Sequence, residues 1–284
     1  MNYTTLISVD QLKAMQRDKT PLMIFDCSFD LANAPAGEAA YEASHIPGAV
    51  YVHLDRDLSD KSGHGVNGGR HPLPSRENFA TWLGRVGFSN DRQAVVYDRQ
   101  GANYCGRLWW MLKWAGHENV AVLDGGLQAW AATEPVAAGA QAPLAATQFA
   151  LKSEKAALAT AQNVVAQLGR TGQTLIDARA TPRFKGEVEP LDPVAGHIPG
   201  ALNRPFALNI GGDGKFKPAA QLRAEFEALL AGRHPSTVVH HCGSGVSAVP
   251  NILAMEIAGL GRAALYAGSW SEWCSDASRP VAQG

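Results

Sequence analysis

The sequence predicts an α/β protein built from two tandem domains of one type, each a mostly parallel sheet flanked by helices. Three observations carry this. The chain repeats itself in order. Short apolar runs alternate with longer amphipathic segments in each half. A stretch poor in periodicity separates the halves.

The repeat is anchored by His45-Ile46-Pro47-Gly48-Ala49, which recurs as His197-Ile198-Pro199-Gly200-Ala201. Upstream, Ile24-Phe25-Asp26 answers to Leu175-Ile176-Asp177. Downstream, Val95-Val96 pairs with Val238-Val239, Ala115-Gly116 with Ala258-Gly259, Gly125 with Gly268 and Trp130 with Trp273. The surplus of the first half falls in LSDKSGHGVNGGRHPLP, a polar, Gly-rich loop. Residues 131 to 148 are rich in Ala, Pro and Gly and read as a linker. The expected division is a first domain at 1–135, a linker at 136–153 and a second domain at 154–284.

The apolar runs read as buried strands: Leu22 to Phe25, Ala94 to Tyr97 and Val120 to Leu123, then Thr174 to Ile176, Thr237 to His240 and Ala263 to Tyr266. Amphipathic patterns predict helices at 9–17, 75–86, 105–115, 156–168, 218–231 and 246–258. Alternation of this kind implies parallel pairing, and sites in such sheets form beyond the C-terminal ends of strands.

Composition sets the outer limits. The 284 residues carry a formal net charge of -1, and 18% are charged. That balance gives no argument for nucleic acid as a partner. No apolar stretch has the length of a membrane span, and the N-terminus lacks a secretory pattern. The four cysteines, Cys27, Cys105, Cys242 and Cys274, are too few for a disulfide framework. A reducing, cytoplasmic setting is the expectation.

One segment carries chemistry. The strand ending in His240-His241 runs into Cys242-Gly243-Ser244-Gly245-Val246-Ser247, and a helical pattern follows. Glycines let such a loop curl so that backbone N–H groups point inward as an anion nest. A helix N-terminus adds partial positive charge. Both favour a thiolate, which is a nucleophile, over a thiol. The same ring of donors suits the outer sulfur of a persulfide. The matching position in the first half is Arg99, so only the second half has the thiol. Cys27, Cys105 and Cys274 have no comparable loop and read as structural.

Other readings of the segment are weaker. Gly243 through Ala248 fits a dinucleotide fingerprint, but late in the chain and inside a repeat. His240-His241-Cys242 invites a metal, yet neighbours on a strand face opposite ways and no further ligand cluster accompanies them. A cysteine-dependent phosphatase needs an Arg six residues after the nucleophile, and Ala248 stands there.

Together the two His-Ile-Pro-Gly-Ala segments, the turns Asp124-Gly125-Gly126 and Gly268-Ser269-Trp270, and the single cysteine loop resemble the rhodanese superfamily over almost the whole chain. The loop is similar to that of 3-mercaptopyruvate sulfurtransferases, with Ser247 where they usually carry Thr. Thiosulfate-specific members usually place cations directly after the cysteine, and this loop has none. The resemblance implies transfer of a sulfane sulfur from 3-mercaptopyruvate through a Cys242 persulfide to a thiol, cyanide or protein acceptor, with a thiosulfate:cyanide sulfurtransferase or a non-enzymatic persulfide carrier as the alternatives. It implies no metal or organic cofactor, no nucleic acid and no membrane.

The resemblance also assigns residues. Arg183, in Thr181-Pro182-Arg183-Phe184, matches an arginine that binds the donor carboxylate. A second arginine usually follows nine residues on, where this chain has Asp192; Arg204 is a candidate replacement. Amides of Gly243, Gly245 and Val246 would line the substrate, with Ser244 and Ser247 as side-chain donors. Asp55 and His71 match an Asp and a His that aid proton movement beside the loop.

Overall fold

The computed structural model describes residues 2–284, which form two compact units. One holds the residues up to Ser59, Pro74–Lys155 and Gly212–Lys215. The other holds Asp60–Leu73, Ala156–Gly211 and Phe216–Gly284. The Gly-rich surplus of the first half is thus counted almost entirely with the second unit, and the whole of the apparent linker with the first.

The first unit runs β1 (Leu6–Ile7), α1 (Val9–Arg17), β2 (Leu22–Asp26), α2 (Pro35–Ala43), β3 (Val50–Tyr51), α3 (Leu54–Asp57), α4 (Arg76–Arg85), β4 (Gln93–Tyr97), α5 (Cys105–Trp114), β5 (Val120–Leu123) and α6 (Gly126–Ala131). The second runs β6 (Leu158–Ala159), α7 (Ala161–Ala166), β7 (Thr174–Asp177), α8 (Thr181–Lys185), β8 (Leu202–Asn203), α9 (Ala219–Leu230), β9 (Val238–His241), α10 (Val249–Ile257), β10 (Ala264–Tyr266) and α11 (Ser269–Trp273).

Each unit has a five-stranded sheet, and all of its pairings are parallel. The orders are β1-β5-β4-β2-β3 and β6-β10-β9-β7-β8. The two orders are the same pattern, as the duplication requires. The central strand β4 is fully buried and nearly all apolar, as a parallel sheet covered by helices demands, whereas β9 is largely buried but ends in two histidines, His240 and His241.

Local chemistry starts and stops the helices. Ser8 caps α1 in a reciprocal box with Gln11, and Ser75 accepts from the Asn78 amide to cap α4. Gly116 and Gly259 adopt positive φ just past α5 and α10, which explains one of the repeated pairs. Two expected helices are shorter than their periodicity suggested. At 156–168, residues Leu158–Ala159 pair as an edge strand, and Thr160 opens α7 with its own capping box. At 246–258, the turn continues to Ala248 and α10 begins at Val249.

The His-Ile-Pro-Gly-Ala repeats are structural clasps. His45 stacks on Tyr41 at 4.1 Å and bonds its carbonyl at 2.8 Å. His197 stacks on Phe184 at 3.8 Å and bonds its carbonyl at 2.8 Å. Ile46 and Ile198 are fully buried, and Gly48 and Gly200 turn the chain at φ 80°. Each clasp leads into the short outer strand of its sheet, β3 or β8.

Among the described residues no helix is long and apolar enough to cross a membrane. The core of the second unit gathers Val164, Leu175, Ile198, Tyr266, Trp270 and Trp273. His240 is fully buried on β9, with Nε2 3.1 Å from Met255 Sδ. Burial, reinforced by His241 and Arg204, pushes its pKa down to about 3. Between the ordinary histidine value of about 6.5 and that value, the unfolded chain binds a proton that the folded chain refuses. Stability therefore falls as pH falls through this window. Replacing His240 with Leu should flatten the slope there by about 1.4 kcal/mol per pH unit. Urea unfolding at pH 7, 6 and 5 measures this, and an unchanged slope would contradict it.

Candidate active site

Cys242 stands immediately beyond β9, the central strand of the second sheet. Its residue is 2% exposed. The main chain around it is pinned from one side by the start of α11. The Cys242 amide donates to Ser269 Oγ at 3.1 Å. The Cys242 carbonyl accepts from the Trp270 amide at 3.0 Å, and the Gly243 carbonyl from the Ser271 amide at 2.9 Å. Ser269 sits at φ 56°, a strained left-handed geometry for a side chain, and its Oγ donates to the Tyr266 carbonyl at 2.9 Å.

With its outer edge anchored, the turn keeps other amides unspent. Among the described residues, the N–H groups of Gly243, Ser247 and Ala248 donate to no protein group. Gly243 and Ala248 are buried, and a buried N–H without an acceptor is costly. The first unit shows what such amides hold. There the carboxylate of Asp98 accepts from the amides of Gln100 at 2.9 Å, Ala102 at 3.1 Å, Tyr104 at 2.8 Å and Cys105 at 3.0 Å. By the repeat these positions correspond to Gly243, Gly245, Ser247 and Ala248. The residue matching Asp98 is His241, so the second loop has no carboxylate of its own to bind. Such a loop is an anion cradle by construction.

Side chains gather at the cradle. His71 Nδ1 and Ser244 Oγ are hydrogen-bonded at 2.7 Å, both nearly buried. The segment bearing His71 is tied down by its main chain. Gly68 N donates to Glu272 Oε1 at 3.0 Å, and Arg70 N to Ser271 Oγ at 3.1 Å. Two guanidinium groups stand over the loop. A methyl group placed on Gly243 would lie 2.7 Å from Arg70 Nη2 and 3.5 Å from Arg183 Nη1.

Behind the arginines lies a buried carboxylate pair. Arg183 Nη2 donates to Glu189 Oε1 at 2.7 Å and to Asp192 Oδ2 at 3.3 Å, while Arg70 Nη1 pairs with Asp192 Oδ1. Burial acts to raise the Glu189 pKa, but bonds from Arg183 and from the Leu191 amide hold it below the usual range. Arg179 joins Glu189 to Asp177 and covers the Trp270 ring at 4.8 Å. Asp177 is fully buried. Burial alone would raise it, yet His241 and Arg179 keep its carboxyl below the usual value. His241 is likewise buried and its pKa lowered, by burial above all.

Of the expected residues, the structure brings Cys242, Ser244, His71 and Arg183 to one loop. Ser247 is half-buried in the same turn, which Gly243, Gly245 and Val246 complete. Asp55 lies on α3 of the first unit. Arg204 is used elsewhere. It bonds Asn209 and Glu225 and covers the Phe226 ring at 4.3 Å. Arg70 was not anticipated; its only sequence signal was adjacency to His71. The other three cysteines are buried free thiols. Burial pushes Cys27 and Cys105 well up and Cys274 up, which suits inert roles. Among the described residues no three His, Cys, Asp or Glu side chains gather as a metal-binding group.

Comparison with known proteins places this architecture. The rhodanese-like domain family matches residues 8–133 and again 160–276. The chain belongs to the rhodanese family. A relative in Pseudomonas aeruginosa, named a probable 3-mercaptopyruvate sulfurtransferase, is 44% identical over the full length of both chains. The thiosulfate sulfurtransferase of Gallus gallus is 34% identical over 89% of this chain and 86% of its own. The crystal structure of a 3-mercaptopyruvate sulfotransferase from Escherichia coli superposes with a TM-score of 0.78 at 31% identity, covering 95% of this chain and all of that one. The tandem rhodanese architecture explains the duplicated clasps and the single cysteine loop.

The cradle's geometry turns on Gly245, at φ 74°, where a Cβ would collide with the Ala267 carbonyl oxygen. Gly245→Ala should cost roughly 2–3 kcal/mol from strain and displaced backbone. Chemical denaturation of this rhodanese variant measures the loss, and wild-type stability would contradict the assigned geometry.

Proposed function

We propose that the chain is a sulfurtransferase that takes a sulfane sulfur from 3-mercaptopyruvate onto Cys242 and passes it to a thiol, cyanide or protein acceptor. The observation that carries the reading is one cysteine beside unspent loop amides with two guanidinium groups over the next residue. The names of the full-length relatives support the reaction class. Cys242, Ser244, Ser247, His71 and Asp55 are the proposed catalytic residues. Arg183, Arg70 and the amides of Gly243, Gly245 and Val246 bind the donor.

The steps balance without a cofactor. The guanidinium edges of Arg70 and Arg183 take the donor carboxylate. The Cys242 thiolate attacks the donor sulfur and supplies the electron pair of the new S–S bond. The donor's C–S bond breaks, and its pair becomes the enolate of pyruvate, which takes a proton at carbon. The His71–Ser244 pair is the proton route, with Asp55 assigned to it by resemblance alone. Loop amides stabilise the negative charge on sulfur. An acceptor nucleophile then attacks the outer sulfur, and Cys242 leaves as thiolate.

A second reading keeps the chemistry and changes the donor. Two cations beside Gly243 also suit thiosulfate, and a thiosulfate sulfurtransferase is among the relatives. The ratio of kcat/KM for the two donors separates them. The stretch 136–153 is proposed as the joint between the working halves 1–135 and 154–284.

Replacing Cys242 with Ser should abolish turnover with either donor. Mass spectrometry of the wild-type chain after donor treatment should find one added sulfur on the peptide containing Cys242. Retained activity, or no added sulfur there, would remove the basis of the assignment. Replacing Arg183 with Ala should raise KM for 3-mercaptopyruvate about tenfold or more, the scale of one lost charge-assisted hydrogen bond. An unchanged KM would take Arg183 out of the donor site.

A further inference from the structure

The arginine pair at the cradle has a feature that neither the reaction nor the relatives' names explain. The terminal nitrogens of the two guanidinium groups are used differently. Arg70 Nη1 and Arg183 Nη2 are held by the two oxygens of Asp192, and Arg183 Nη2 also by Glu189. Arg70 Nη2 and Arg183 Nη1, which lie 2.7 and 3.5 Å from a Cβ built on Gly243, donate to no protein group among the described residues, and Arg183 Nη2 lies 3.7 Å from the same point. The Asp192 side chain is 3% exposed, against 26% for Arg70 and 18% for Arg183. A buried carboxylate therefore holds one terminal nitrogen of each of two partly exposed cations, and both cations lie beside the residue after the cysteine.

We infer that Asp192 is a positioning residue that recruits Arg70 beside Arg183 to form a two-guanidinium clamp for the donor's anionic group. This rests on the function proposed above. Two free arginines repel each other and lose much side-chain entropy when fixed side by side. A single carboxylate bridging them offsets the repulsion and fixes both forks in one orientation. Glu189 cannot do this for Arg70, because it is shared between Arg183 and Arg179. The acid at position 192 and the arginine at position 70 thus act together. Where the resembling enzymes carry an arginine, this chain carries the group that brings one in from another loop.

The clamp makes a prediction opposite to that of simple charge. If Asp192 only competed with the donor for the arginines, removing its charge would lower KM. As a positioning residue, its replacement by Asn should raise KM for 3-mercaptopyruvate about tenfold while kcat changes less than about twofold, the scale of one charge-assisted contact. Arg70→Ala should raise KM by a similar factor, and Asp192→Asn added to it should raise KM little further. Arg183→Ala combined with Arg70→Ala should be worse than either. In the Arg70→Ala background, Asp192→Arg should recover KM by returning a guanidinium to the site directly. Thermal midpoints of all variants are compared first. A fall in KM for Asp192→Asn, additive effects with Arg70→Ala, or loss of folding in both Asp192→Asn and Asp192→Ser would overturn the proposal. If the wild-type chain turns over thiosulfate alone, the donor assignment fails, and the same variants then test the clamp through the thiosulfate KM.

Discussion

A carboxylate buried at the end of a strand needs a cation, and the way each copy meets that need decides what its central loop can do. Asp26 ends β2 and Asp177 ends β7, and both are fully buried. In the first unit the cation is Arg99, placed on the loop after the central strand and bonded also to Ser28. In the second unit it is Arg179, which stands where the repeat has Ser28. The position matching Arg99 is then Cys242. Two exchanges belong together: serine for arginine near the acid, and arginine for cysteine on the loop. Either alone would bury an unpaired charge, at a cost of several kcal/mol. Made together they leave the buried ion pair intact and free the loop for a sulfur atom.

The loop itself is common to both copies, and its preference for an anion is visible in the copy without the thiol. Asp98 spends its carboxylate on four loop amides. The second copy has His241 at that place, whose neutral form burial favours. A fold that satisfies four loop amides with a carboxylate in one half, and in the other leaves those of Gly243, Ser247 and Ala248 without a protein acceptor beside a cysteine, has given one loop plan two different uses. The pinning of that backbone by Ser269, Trp270 and Ser271 keeps the donors fixed before any ligand arrives, which is the condition for electrostatic preorganisation.

Much of this was legible in the sequence because duplication magnifies weak signals. The paired clasps and the steady register through Trp130 and Trp273 identified the fold, and the strand–loop–helix passage at Cys242 is what makes that residue the proposed nucleophile. The two-residue strands Leu6–Ile7, Val50–Tyr51, Leu158–Ala159 and Leu202–Asn203 escaped notice, since two residues carry no period. The pairing of Arg70 with Asp192 escaped for a different reason. It joins positions 122 residues apart, and although Asp192 stands out where an arginine is expected, nothing local marks Arg70 as its partner. Arg204 was a plausible stand-in on charge alone, but Asn209, Glu225 and Phe226 claim it. The role of Asp55 still rests on resemblance.

The charges around the cradle also explain why overall charge was uninformative. Arg70, Arg179 and Arg183 face Asp177, Glu189 and Asp192, so the cluster is balanced three against three. A balanced cluster projects little field into solvent and gives weak long-range steering of anions. Its selectivity has to come from where the unspent N–H groups point. Those groups are two guanidinium edges beside Gly243 and the loop amides that follow Cys242. Recognition of the kind proposed for the donor would work at hydrogen-bond range, would favour a donor whose anionic end and sulfur are one short chain apart, and would persist at ionic strengths that screen a charged funnel.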